Sequence, residues 1–459
     1  MPLAQGRRRM AVWHLDGAGR MGIKISIIGA GSGQFSLGIV RDLCLSPGLW
    51  GSTVSFMDID EARLERVHNV AARYTAELGA DLRFEKTLDR RESLDGADFV
   101  INTAMVVGWD SLRLMERVTA QHGYPQTIYI DDFQQFILFL AIIRDMEVLC
   151  PDAWYIQSAN PVFEGCTLIT RHSAIKSVGL CHGFHGGVRK IARTLGLDPE
   201  QVEAQAYGIN HCIWLTKFFY QGRDAYPLLD EWIERQARDY WASPSCGVSD
   251  EMGPKAVDVY RRIGLFPVGD TATPGGGSYF RWYHADRETE RRWQEDPTAW
   301  YDRHVQHVGE QVAALAQAAG ALTVKVTEVF PPERTFETNV AIIDALVNDR
   351  PAVFQVNIPN QGAIPSIADD VVVEIPALVS GAGIQGLHVG DLPRPALCHV
   401  LDKIVMMERE LEAFRTRRRE LLLEWVLANP WTRTIEQAQG VLEALLALPF
   451  NAALAAYFA

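Results

Sequence analysis

Lys24-Ile25-Ser26-Ile27-Ile28, running straight into Gly29-Ala30-Gly31-Ser32-Gly33, is the stretch on which the reading of this chain turns. The first five residues read as a short apolar strand. Gln34 to Leu45 then reads as a helix that stops near Pro47-Gly48. A strand, a glycine-rich turn and a helix in that order form a cradle for phosphate. Glycine lets the chain turn tightly and lets backbone N–H groups approach a pyrophosphate, whose charge the helix N-terminus stabilises. The third glycine of the usual fingerprint falls on Gln34, so the match is partial. The next strand, Thr53 to Met57, ends at Asp58, where an acid can hold ribose hydroxyls. Asp58 lies 29 residues beyond Gly29, more than the roughly 20 of the usual fingerprint, and a longer first helix absorbs the difference. An acid there repels a 2′-phosphate, so the expected dinucleotide is NAD rather than NADP. Gly29, Gly31, Ser32 and Asp58 are the candidate cofactor residues.

Outward from this unit the strand and helix signals keep alternating. Apolar positions Leu64, Val67, Ala71, Tyr74 and Leu78 follow helical spacing. Phe99 to Ile101, Trp154 to Ile156 and Val178 to Leu180 read as further strands. Such alternation favours a parallel sheet with helices on both faces. The expected fold is α/β: a Rossmann-like, doubly wound parallel sheet over residues 21–200, then a mixed α+β domain over 201–459. Val324 to Val329 and Val371 to Val373 read as strands of a second sheet, and Val400 to Leu427 as one long charged amphipathic helix. Thr434 with Gln437 three residues on is a capping-box pattern opening another helix, Thr434 to Leu446. These terminal helices suit either packing on the first domain or a subunit interface.

The 459 residues carry 48% hydrophobic and 22% charged residues, which excludes disorder, collagen and coiled coil as the main architecture. A net charge of −13 lacks the basic footprint of a nucleic-acid binder. No apolar run approaches the about 20 residues of a membrane span. Phe136 to Ile143 is closed by Arg144 and Asp145 and reads as a buried core helix. Residues 1–20 lack a secretory apolar stretch and cleavage site, so they read as an upstream start or a disordered extension. Seven cysteines without framework spacing suit a reducing cytoplasm.

Chemistry-bearing residues gather at strand ends. Asn102-Thr103 follows one strand, facing either the ligand crevice or a capped loop. Ser158-Ala159-Asn160-Pro161-Val162 follows another, and the Asn160 amide can hold a cofactor or substrate hydroxyl. Malate and lactate dehydrogenases also carry Asn-Pro here, which supports a hydride-transfer scaffold of that kind. Leu180-Cys181-His182-Gly183 and Gly208-Ile209-Asn210-His211 follow two more extended segments. Read alone, a buried thiol and a core histidine explain Cys181 and His211 better than a metal does. If the two converge on one divalent ion, they leave positions open for substrate oxygens. Gly269-Asp270-Thr271 offers either a turn residue or a general base, with Arg281-Trp282-Tyr283-His284 shortly after.

Together, Gly-Ala-Gly-Ser, Ala-Asn-Pro-Val, Cys-His-Gly, Asn-His, Gly-Asp-Thr and the later Val356-Asn357-Ile358-Pro359-Asn360-Gln361-Gly362 resemble glycoside hydrolase family four, from about Lys24 to about Leu427. This family stands outside the two-carboxylate scheme of most glycosidases. The resemblance implies NAD+ and usually Mn2+. It implies oxidation of the sugar C3 hydroxyl, removal of the acidified C2 proton, elimination of the aglycone, water addition and re-reduction. Carried over residue by residue, Cys181 and His211 match the metal ligands. Gly29, Gly31, Ser32 and Asp58 match the NAD region, and Asn160 matches a residue touching cofactor and substrate. Asp270 matches the proposed C2 base, with Tyr283 in reserve because other branches use a tyrosine. His182 matches the proposed leaving-group acid. Asn102 joins the cofactor candidates and Asn210 the substrate candidates.

The residue after the metal cysteine sorts the family. Cys-Asn marks phospho-sugar enzymes, whereas Cys181-His182 resembles the α-glucuronidase branch, with α-galacturonidases, α-glucosidases and α-galactosidases related to it. A uronic acid needs a cation at its C6 carboxylate, and Arg281 is the candidate, with a surface salt bridge as the alternative. The family implies a homodimer or homotetramer. Two other readings remain: a 2-hydroxyacid dehydrogenase with net NADH production, and a non-catalytic NAD-binding sensor.

Overall fold

The computed structural model describes residues 22–276, 280–321 and 323–459. The expected extension at residues 1–20 lies outside them. Six strands form the first half: β1 (Lys24–Ile28), β2 (Thr53–Met57), β3 (Arg83–Thr87), β4 (Phe99–Asn102), β5 (Trp154–Gln157) and β6 (Lys176–Gly179). They lie in the order β3-β2-β1-β4-β5-β6, every neighbouring pair parallel. This is the doubly wound order of dinucleotide-binding folds, with its switch point between β1 and β4. Ile25, Ile27 and Ile28 of β1 are buried, as a central strand covered on both faces requires.

The second half corrects one expectation. It adds strands to the same sheet instead of building another. These are β7 (Val202–Ile209), β8 (Cys212–Tyr220), β9 (Arg223–Asp224), β10 (Phe266–Val268), β11 (Ala352–Pro359), β12 (Val372–Ser380) and β13 (Gly383–Gly386). The path continues β6-β11-β12-β7-β8-β10, antiparallel throughout, with β13 on β12 and β9 on β8. Val324–Val329 contributes no strand. Val326–Val329 is a helical turn whose first amides, Val326 and Thr327, both donate to the Glu77 carboxylate at 2.8 Å. An acid on helical N–H groups outweighs the β-preference of three valines.

The long amphipathic helix is broken into Arg394–Thr416 and Arg419–Leu427 at Arg417, which adopts φ +59°. The helix expected after Thr434 runs Ile435–Leu446, and a short helix, Ala452–Tyr457, follows it. The Thr434 hydroxyl accepts from the Gln437 N–H, while Gln437 reaches back to the Arg433 N–H. These C-terminal helices pack on the first half. Phe133 of helix Asp132–Leu149 makes edge contacts with Trp425 and Phe458, and Gln134 donates to Asn451. That helix buries Phe133, Phe136, Phe139, Ile142, Ile143 and Met146, as its apolar run predicts. No single helix among the described residues is long and apolar enough to cross a membrane.

Candidate active site

The crevice at the switch point is built from three loops. Gly31 lies so close to the end of β2 that a Cβ there would stand 2.7 Å from Asp58 Oδ2. Its N–H donates to that oxygen at 2.7 Å, and the other Asp58 oxygen accepts from the Asp60 N–H. Gly29 and Ser32 flank this turn, with Ala30–Ser32 as a single 3-10 turn before helix Gln34–Cys44. Asn102 is fully buried. Its amide donates to Tyr155 and Gln157, and its carbonyl accepts from the Ala104 N–H, so it shapes the loop from inside. Asn160 is exposed on the neighbouring loop. Gln135 joins the two loops: its amide donates to the Ala104 and Asn160 carbonyls, and its carbonyl accepts from Val106.

Beyond β6, one lateral row crosses the sheet: Gly179 pairs with Asn357, Asn357 with Glu374, and Glu374 with Gly208. Two residues past the row's ends stand Cys181 and Asn210. Asn210 and His211 make the two-residue turn between β7 and β8, with His211 at φ +58°. A β-substituted residue in that region is strained, and such positions cluster at functional sites. Asn210 donates to Glu374 at 2.9 Å, and both side chains are buried.

Asp270 reaches this point because two glycines allow its loop to touch a helix. A Cβ on Gly269 (φ +56°) would lie 2.5 Å from the Gly183 carbonyl oxygen, and one on Gly187 2.6 Å from the Gly269 nitrogen. Thr271 locks the loop by bonding both the N–H and the carbonyl of Ile213 on β8. Asp270 Oδ2 then sits 3.5 Å from His211 Nε2, and Thr273 donates to its other oxygen at 2.8 Å.

The electrostatics follow from burial. Burial holds the His211 imidazole below its usual value, more than the Asp270 carboxylate raises it. Burial pushes Asp270 up, yet His211, His182 and the Thr273 hydroxyl outweigh it and keep the carboxyl below its usual range. The site therefore holds a neutral imidazole beside an ionised carboxylate. Burial, then the charges of Glu374 and Asp270, push the Cys181 thiol up. A thiol so placed ionises only against a cation. Thiolate, imidazole and nearby carboxylates form a donor set suited to a first-row divalent ion. Among the described residues no cluster of three or more such side chains closes around one point. Two protein ligands, Cys181 and His211, would leave positions for substrate oxygens.

Not every candidate converges here. His182 caps helix Gly183–Thr194, is 69% exposed, and lies 3.8 Å from Glu337. The Tyr283 hydroxyl donates to Asp258 at 2.6 Å, and its ring packs on Trp293. Arg281 is exposed and donates to the Pro430 carbonyl. The charge of Lys403, from helix Arg394–Thr416, adds to the lowering of His211. Glu374, Glu337, Gln135 and Lys403 were missed in the sequence. Glu374 left one signal, a lone acid inside the apolar run Val371–Val379. Lys403 left none, since a lysine on a charged amphipathic helix reads as solvated surface.

Comparison with known proteins decides the family. Residues 24–197 match the model for family 4 glycosyl hydrolases, and residues 206–432 match the model for the C-terminal domain of the same family. The chain belongs to the family 4 glycosyl hydrolases. This family 4 chain is an enzyme, a glycosidase acting on a small-molecule sugar substrate. An α-glucosidase from Erwinia rhapontici is 28% identical over 449 residues, covering 89% of this chain and 94% of the relative. An α-galacturonidase from Thermoanaerobacterium saccharolyticum is 24% identical over 457 residues, covering 92% and 95%. A 6-phospho-α-glucosidase from gut microorganisms, solved with NAD and Mn2+, has the same fold (TM-score 0.77, 16% identity, 93% and 97% covered).

Proposed function

We propose that this glycosidase cleaves α-glycosides of a uronic acid, α-D-glucuronides foremost, with NAD and a divalent ion such as Mn2+. The observation that supports the reading is an ionised Asp270 3.5 Å from the buried His211 imidazole, with the Cys181 thiol, on which the Asp270 charge acts, past the neighbouring strand end. When bound, the nicotinamide supplies reversible hydride acceptance at C3 and the ion supplies Lewis acidity at the adjoining oxygens. Gly29, Gly31, Ser32 and Asp58 hold the dinucleotide, and Cys181 with His211 hold the ion. Asp270 takes the C2 proton. Its carboxylate is charged at neutral pH, and beside a carbonyl that proton is acidic enough for a modest base. His182 gives a proton to the departing oxygen, with a Glu337 carboxylate oxygen 3.8 Å from its Nδ1. Asn160 and Asn210 orient the sugar hydroxyls, and Glu374 fixes the Asn210 amide.

The uronate reading draws support from Cys181-His182 in place of Cys-Asn. A second reading, α-galacturonide cleavage, is favoured by the relative named α-galacturonidase. Release of p-nitrophenol from the α-D-glucuronide, α-galacturonide, α-glucoside and α-galactoside, in NAD+, Mn2+ and thiol, tests both. The proposal expects release from a uronide that needs all three components and leaves no net NADH. Release only from a neutral sugar overturns the uronate reading. Steady NADH without glycoside cleavage marks a dehydrogenase.

A further inference from the structure

A cavity of about 230 Å³ lies between helix Gly183–Thr194 and the segment 334–338, with Glu337 on its wall. Its location matters because Glu337 is also the residue 3.8 Å from His182 Nδ1. His182, His185 and Arg189 recur at helical spacing and so share one helix face. Seven residues at 1.5 Å each make that face about 10 Å long. Across from it stand Glu337 at the His182 end and Phe336 at the Arg189 end. Arg189 lies over the Phe336 ring, 4.0 Å from its centroid, and the ring is still 47% exposed. The cavity wall also holds His185, whose Nε2 is enclosed without a hydrogen-bond partner. Burial and the Arg189 charge hold that imidazole below its usual value, so it is neutral and can take or give one hydrogen bond.

These features have the chemistry of a carbohydrate subsite. An exposed aromatic face, stiffened by a guanidinium, offers an apolar platform to the C–H face of a pyranose. The Glu337 carboxyl on the cavity wall offers a partner to ring hydroxyls. The volume is below the roughly 300–1,000 Å³ of drug-sized sites, which fits one ring and not a longer chain.

We propose that this cavity is the leaving-group subsite of the enzyme, in which Phe336, Arg189 and Glu337 hold a single pyranose. The natural substrate is then a uronic acid α-linked to a second sugar, not to a flat aromatic or an alkyl alcohol. The proposal rests on the reading of His182 as the group that protonates the departing oxygen, because that places the aglycone at the mouth of this cavity.

The test compares substrates that differ only in the aglycone. α-D-Glucuronosyl fluoride has no aglycone ring, whereas an α-D-glucuronosyl-D-xylose disaccharide has one. Phe336→Ala is expected to lower kcat/KM for the disaccharide about ten-fold, the scale of one lost contact patch, and to leave the fluoride within about two-fold. Phe336→Trp is expected to restore the disaccharide and serves as the folding control. Equal losses on both substrates, or none on either, overturn the subsite. A second readout stands apart from turnover: saturation-transfer NMR of D-xylose on the full-length protein, with D-glucuronate in excess to fill the first site. Wild type is expected to give a xylose signal that Phe336→Ala abolishes, and an absent or unchanged signal overturns the proposal. If neither glucuronosyl substrate is turned over while that signal appears and depends on Phe336, the reading of the reaction fails and the subsite stands.

Discussion

Asp270 has His211 3.5 Å from one oxygen and the Thr273 hydroxyl on the other, whereas the Tyr283 hydroxyl is given to Asp258. The two candidates for the proton-abstracting base are therefore separable by substitution. Asp270→Asn keeps shape and hydrogen bonding but removes the base, and kcat should fall by about 10²–10⁴-fold with NAD+ affinity unchanged. Tyr283→Phe should cost less than about three-fold in kcat. Steady-state kinetics with NAD+ titration by fluorescence check both, and the reverse order of effects would make Tyr283 the base. Most of these side chains are named by sequence motif, because each sits next to a glycine, proline or strand end that the chain geometry demands. Arg281 is the counter-example. It is near Asp270 in sequence, yet its guanidinium turns to Pro430, a contact set by the C-terminal segment 149 residues away.

At the scale of one element, β12 carries a testable burden in Glu374. Burial raises its carboxyl from 4.5 to about 7 in the folded chain, although the amides of Asn210, Gln355 and Asn357 favour its charged form. Between about pH 4.5 and 7 the folded protein keeps this proton while the unfolded chain has lost it. Stability from this group thus falls as pH rises through that window and levels off above it. Glu374→Gln is neutral at every pH. In chelator-treated protein the two should melt together below about pH 4.5, and the Gln variant should become the more stable by up to about 3 kcal/mol above pH 7. Thermal melts across pH check this, and a wild type that stays the more stable at pH 8 would contradict it. Elements with both faces buried, such as β1, are readable from their apolar runs. The turn Val326–Val329 is not, because its conformation is decided by Glu77, a partner some 250 residues away. The break at Arg417 likewise lies inside an unbroken amphipathic pattern.

Across the whole molecule, the chain ends by returning to its first half. Phe133 and Phe136 meet Trp425, Phe458 and Phe414, and Gln134 meets Asn451. Deleting residues 435–459 would expose this aromatic layer and leave the Gln134 amide unpaired. The expected result is loss of a single cooperative calorimetric transition; an unchanged transition would show these helices to be dispensable. Five of the six parallel strands were legible because their strand–helix alternation is local, whereas the edge strand β3, a largely exposed Arg-Phe-Glu-Lys-Thr, left no apolar signal. The joining of β6 to β11 was not legible either, since it depends on segments 178 residues apart meeting through Asn357 and Gly179. That joint matters most for function, because it carries Glu374 beneath Cys181 and His211.

The central claim is that Asp270 removes and returns the proton at C2 of the sugar. Hydrolysis of p-nitrophenyl α-D-glucuronide in D2O, with NAD+, Mn2+ and thiol, tests it in one spectrum. The account predicts deuterium at C2 of the released glucuronic acid by NMR, and release slowed by about 10²–10⁴-fold with Asp270→Asn. Released glucuronic acid that keeps its hydrogen at C2 would contradict the account and point to hydrolysis without a C3 ketone.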